Sequence, residues 1–156
     1  MRTMSTTTPV ETDRFVHVLN SLLRGEISAQ ETHEKALSLD DMTADEVAAL
    51  RSISAEHTQA AETLLSEIFR LEGEPAGSAG VWGAFANAFQ SSANLLGAAT
   101  AFSSLREGEE HGLNEYEEAL ETATAPTRAL LHEKLIPNQR EHIGTLTAMG
   151  LRRRSD

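Results

Sequence analysis

Two glutamates stand where the surrounding pattern calls for apolar side chains. Glu26 follows Leu22-Leu23-Arg24-Gly25, and Glu109 follows Leu105-Arg106-Glu107-Gly108. A shift of 83 positions superposes the two stretches. It also brings Leu22 onto Leu105, Gly25 onto Gly108, Glu34 onto Glu117, Ala36 onto Ala119 and Leu37 onto Leu120. Matches over the length of a helix mark an internal duplication. Two histidines, His57 and His142, hold inward positions of their own segments. A buried carboxylate without a partner is costly, so four ionisable groups turned into one layer call for something that compensates them. A divalent cation does this, and carboxylate oxygen with imidazole nitrogen suits iron, zinc or manganese. Glu56 and Glu141 directly precede the two histidines. They lie about 100° around a helix from them and serve as extra ligands or as partners that orient the rings. The metal set read from the sequence is therefore Glu26, His57, Glu109, His142, Glu56 and Glu141.

The same residues admit two plainer arrangements. Each glutamate can pair with a histidine as a buried ion pair, or the seam can lie one position away, leaving the glutamates in water. His33 and Tyr116 occupy matched core positions of the two repeats and read as satisfied polar core groups. His111 falls off the seam. No phosphate-binding glycine loop, nucleophile elbow or Ser-His-Asp ordering is present.

Four long helices are expected to carry these groups. Thr8, Pro9 and Glu11 form a capping box with proline in the first turn. The first seam runs Phe15, Leu19, Leu22, Glu26, Ala29, His33, Ala36, with alternating steps of four and three. Thr43 and Glu46 form a second box. The seam after it is Val47, Leu50, Ser54, His57, Ala61, Leu64, Ile68, Leu71. The turn between them is short, so the two helices should be antiparallel neighbours with His57 level with Glu26. Residues 72–80, rich in glycine, form a loop. Val81 to Leu96 reads as a short crossover helix anchored by Trp82, Phe85 and Phe89. The third helix has the seam Phe102, Leu105, Glu109, Gly112, Tyr116, Ala119. The fourth has Leu131, Leu135, Asn138, His142, Thr145, Met149. Pro137 should kink the last helix about one turn before His142. The division is a flexible N-terminus over 1–8, one bundle domain over 9–150 and a basic tail over 151–156.

Composition narrows the function classes. At 156 residues the chain can bury a core of its own. Ala, Leu and Glu dominate and aromatics make up only 4%, which favours helix. There is no cysteine, so any metal is held by His and carboxylate. A net charge of -11 argues against a nucleic acid or an anionic membrane as partner. The basic run Arg152-Arg153-Arg154 complements the last helix dipole or belongs to a solvated tail. The N-terminal residues lack an apolar signal region, and no stretch approaches the roughly 20 apolar residues of a spanning helix. A soluble cytoplasmic protein is the expectation. Small seam residues suit close packing in a monomer or a homodimer.

The pieces LNSLLRGEISAQETHEKAL, the EH of SAEHTQAAETL, GEEHGLNEYEEAL and NQREHIGTL are spread over nearly the whole chain. Together they resemble the ferritin-like superfamily. More closely, the chain looks like a family of small bacterial ferritin-like four-helix proteins of unknown function. The resemblance implies an all-α, antiparallel four-helix bundle with a long crossover between helices two and three. It also implies a divalent metal, iron first, and a part in iron handling or in oxidative and general stress. Di-iron members of the superfamily carry Glu-x-x-His on two helices. Here Ser54 and Gln139 stand three before His57 and His142, so the bridging carboxylates are missing from their usual places. The rival reading is a non-catalytic interaction or structural bundle whose polar layer fixes helix register.

Overall fold

The computed structural model describes residues 7–76 and 81–155, with backbone alone for 81–96. Its described elements are all helical. They are α1 Pro9–Ala36, α2 Ala44–Arg70, α3 Val81–Ala119, α4 Ala125–Leu130 and α5 Ile136–Ser155, with a π-helical turn Leu131–Leu135 joining the last two. Among the described residues no helix is long and apolar enough to cross a membrane.

Both helix starts are fixed by side chains. Thr8 and Thr43 accept the backbone N–H of Glu11 and Glu46, and each glutamate accepts the cap residue's own N–H in return. This satisfies donors that no turn of helix reaches. At the other end of α2, Glu72 takes φ 58°. Its N–H reaches Phe69 O, and Gly73 N–H reaches Ile68 O at 2.9 Å. That is a Schellman closure with glutamate in the left-handed position that glycine usually fills. Gly73 is glycine for another reason: a Cβ there would lie 2.5 Å from Val16 Cγ1.

Helix α3 breaks at Gly97, whose φ of 78° and ψ of -173° are not helical. The next residue restarts the helix, and its free N–H is taken by a distant side chain, Asp41 Oδ2 at 3.2 Å. The Trp82, Phe85 and Phe89 anchor read from the sequence lies outside the described side chains.

Contacts between α1 and α2 run in opposite chain order: Val16 meets the Gly73 backbone while Glu26 meets His57. Between α3 and α5, Gln139 meets Glu109 and Arg153 lies over the Phe102 ring. Two apolar clusters result. One gathers Leu19, Leu22, Leu64, Leu131 and Leu135. The other gathers Leu50, Ile53, Phe102, Leu105 and Leu146. At roughly 1.5–3 kcal/mol for each large side chain withdrawn from water, these clusters dominate the stability. On every one of the four long rods the polar layer falls between them.

The last rod departs from the sequence reading. Pro137 has no N–H and its ring crowds the preceding turn. The helix accommodates it with a widened turn, in which Ile136 N–H reaches back to Leu131 O. The wide turn takes up one extra residue and rotates the buried face beyond it, so two of the expected seam positions move by one. Gln139 and Leu146 are buried in place of Asn138 and Thr145, while His142 and Met149 stay inside. The basic segment read as a tail continues α5 to Ser155. Within it Arg153 grips Glu46 at 2.5 and 2.6 Å and the Asp41 carbonyl at 2.5 Å.

Candidate metal centre

The layer is built around His57, which is 1% exposed. Its Nδ1 lies 2.6 Å from Glu26 Oε2, and its Nε2 lies 2.7 Å from Glu109 Oε1. Carboxylates accept only, so both ring nitrogens carry hydrogen and the ring is an imidazolium in this arrangement. Burial alone would push its pKa down. The pull of Glu26 and Glu109 outweighs burial and raises it to about 10. Burial likewise opposes the charge on Glu109, yet His57 and the neighbouring imidazoles hold that carboxyl well below the usual range.

The duplication reappears here as an exchange. His33 follows Glu26 by two helical turns on α1 and reaches Glu109 on α3, with Nε2 3.2 Å from Oε1. Tyr116, its counterpart on α3, donates its hydroxyl to Glu26 Oε1 on α1. Each glutamate is thus met by the partner repeat. The chemistry differs: phenol on one side, imidazole on the other.

Three histidines converge on Glu109. His33 Nδ1 lies 2.8 Å from Ala29 O. A carbonyl accepts only, so Nδ1 carries the hydrogen. Burial holds the pKa of His33 down at about 4, against the pull of Glu109. The ring is neutral, and its Nε2 presents a lone pair to a carboxylate oxygen. His142 Nε2 lies 2.5 Å from Glu56 Oε2, which leaves Nδ1 facing Glu109 Oε2 at 3.5 Å. Neither His33 Nε2 nor His142 Nδ1 has a hydrogen-bond partner, although both are buried. Burial opposes a charge on His142, and Glu109 and Glu56 together raise its pKa. The rings pack closely, with centroids 5.1 Å apart for His33 and His57 and 4.8 Å for His57 and His142.

Gln139 completes the surroundings. Its amide donates to Glu109 Oε2 at 2.5 Å and to Glu109 O at 2.9 Å. Gly112 leaves room for it, since a Cβ there would lie 2.8 Å from the amide nitrogen.

One candidate atom from each of His33, His57 and Glu109 lies within 4.8 Å of the others. Ligand atoms about 2.1 Å from a tetrahedral ion lie about 3.4 Å apart, so the His57–Glu109 pair at 2.7 Å and the His33–Glu109 pair at 3.2 Å would open slightly to admit one.

The sequence pattern of the family described as Domain of unknown function (DUF2383) matches residues 14–122. The chain belongs to that family. In this DUF2383 chain the matched stretch contains Glu26, His33, Glu56, His57, Glu109 and Tyr116, while Gln139 and His142 lie beyond it. No curated protein and no solved structure matches the chain.

Of the residues singled out from sequence, the fold brings together Glu26, His57, Glu109, His142 and Glu56. It does not bring Glu141, which is exposed. One step along a helix turns a side chain about 100°. On α2 that step points Glu56 across toward α5, whereas on α5 it points Glu141 into water. Sequence reasoning passed over His33 as a donor. The signal was available, because a seam residue seven positions after Glu26 lies on the same helix face two turns on.

Proposed function

We propose that the chain is a metal-binding protein that holds a divalent transition-metal ion against Glu109 in a ferritin-like, antiparallel four-helix bundle. One observation carries the reading. His33 Nε2, buried and without a hydrogen-bond partner, faces a buried carboxylate oxygen 3.2 Å away, and burial, which holds the ring's pKa down at about 4, favours a lone pair there. Lone pair against lone pair in a dry interior is repulsive, and a cation between the two atoms turns the repulsion into coordination. The ring anchors agree. The far nitrogens of His33, His57 and His142 each meet an oxygen acceptor, Ala29 O, Glu26 and Glu56. Outer partners of this kind fix the tautomer of metal-binding histidines.

Nitrogen-rich donor sets suit iron and zinc, with manganese less favoured. Opposite chain order in the two helix pairs and the restart of α3 at Gly97 support the ferritin-like arrangement, and with it iron and a role in iron handling or oxidative stress. A bound iron with an open position would supply chemistry toward dioxygen or peroxide. The chain's own residues would exclude bulk water and hold the rings in place.

A second reading draws on His57. As an imidazolium it already bridges both glutamates, and such a layer can serve only to fix helix register. Metal analysis of untagged protein separates the two. Bound metal that is lost in Glu109→Gln and His33→Ala supports binding. Metal-free protein whose melting temperature ignores added Fe(II), Zn(II) and Mn(II) refutes it.

A further inference from the structure

Resting on that reading, we infer that the layer takes a single ion, at its Glu109 end. The ion would be held by His33 Nε2, His57 Nε2, His142 Nδ1 and a Glu109 oxygen. The matching place at Glu26 is closed, and there Glu26 and Tyr116 act as a positioning pair for His57.

The duplication gives the layer two related ends, and the residues have diverged between them. At the Glu109 end the carboxylate accepts from His57 and Gln139, and two further imidazole nitrogens, His33 Nε2 and His142 Nδ1, face it buried and without hydrogen bonds. At the Glu26 end both oxygens are taken by donors, Tyr116 O–H on Oε1 and His57 Nδ1–H on Oε2. Both carboxylates accept hydrogens, but among the described residues the buried nitrogens left without a partner face Glu109, and the phenol that stands at Glu26 offers no such nitrogen. Substituting phenol for imidazole at the position matched to His33 therefore closes one of the two places.

Charge gives the same count independently. The buried layer holds two carboxylates, Glu26 and Glu109, with Glu56 at its rim. One divalent ion with neutral imidazoles balances the two buried carboxylates. Two ions would leave uncompensated positive charge in a dry interior, which costs several kcal/mol or more. The positions three before His57 and His142, where a second pair of carboxylates would restore the balance, hold Ser54 and Gln139. Both are buried and neutral.

Tyr116 and Glu26 then have a definite task. With Oε1 held by the phenol, Oε2 of Glu26 faces His57 Nδ1–H and fixes the tautomer that turns Nε2 toward the ion. Outer partners of this kind change affinity by about 10–100-fold without changing ligand number.

The test is to load the full chain with Zn(II), remove excess ion, count zinc per chain and count imidazole ligands by X-ray absorption. Wild type is expected to hold one zinc with three imidazoles. Glu26→Gln and Tyr116→Phe are expected to keep one zinc at about 10–100-fold weaker affinity, whereas Glu109→Gln loses it. Two zinc ions in wild type, or two imidazoles around one zinc, overturns the inference while leaving metal binding intact. Equal losses in Glu26→Gln and Glu109→Gln do the same. No zinc at any concentration removes the metal-binding reading and this one with it. The imidazole count on wild type does not depend on whether Glu109→Gln folds.

Discussion

Raising the pH should tighten metal binding steeply, and the layer sets the size of the effect. In the metal-free arrangement His57 is protonated on both nitrogens and its pKa stands at about 10. An ion that uses His57 Nε2 must displace that proton to solvent. At pH 7 the displacement works against about three pH units of proton affinity, or about 4 kcal/mol. Apparent affinity should therefore rise about tenfold per pH unit between 7 and 9. His142, whose pKa is also raised, adds to the slope up to its own titration. His33 contributes nothing in this range, because its ring is already neutral above about pH 4. The assay is competition for Zn(II) against a chelator of known pH dependence, paired with calorimetry in buffers of different ionisation enthalpy to count protons. At least one proton should leave per ion bound. An affinity flat from pH 7 to 9, with no proton released, would falsify the assignment of His57 as a donor.

Four further outcomes follow from the same structure. The metal-free protein should melt lower as pH rises from 7 to 10. The folded-state pKa of His57 lies above its unfolded value, so its contribution is full below about 6.5 and fades as pH approaches 10; melts with chelator present should fall by several degrees. Arg153→Ala leaves the buried Glu46 carboxylate without its guanidinium. It should cost about 1–3 kcal/mol, read as a shifted urea midpoint at unchanged slope. Gly97→Ala places a Cβ at φ 78° and 3.1 Å from Asp41 Oδ2. A loss of about 1–3 kcal/mol is expected, and an unchanged melting temperature would contradict the strain. Glu72→Gly relieves the left-handed position that closes α2 and should raise stability by up to about 1 kcal/mol, measurable as a melting temperature a few degrees higher.

How much of this was legible in the sequence varies from rod to rod. In α1 the alternating four-three steps located Phe15, Leu19, Leu22, Glu26, His33 and Ala36, all of them buried. The α3 seam from Phe102 to Ala119 was equally plain, because nothing interrupts the helical period there. The seam in α5 went wrong at Asn138 and Thr145. A period count has no means of registering the extra residue in the π-helical turn, and Pro137 announced a disturbance without its form. Glu109 and Glu26 look equivalent in sequence, since the duplication carries both. What separates them is their cross-bundle partners, His33 and Tyr116. That pairing depends on helix rotation and interhelical distance, not on any local pattern. Glu141 failed for the same reason: its spacing to His142 equals that of Glu56 to His57, but α5 turns that flank outward.

The clasp at the far end of the bundle bears on how the molecule comes apart. Asp41, in the turn between α1 and α2, caps the restart of α3 at Ala98, and Arg153 holds the same turn from the last coil of α5. Segments more than fifty and more than a hundred residues apart in the chain are tied at one knot. Fraying of the C-terminal coil therefore cannot stay local. It loosens the α1–α2 turn and the start of α3 together. Amide exchange in these three places should proceed as one cooperative unit, slower than the chain's end would suggest.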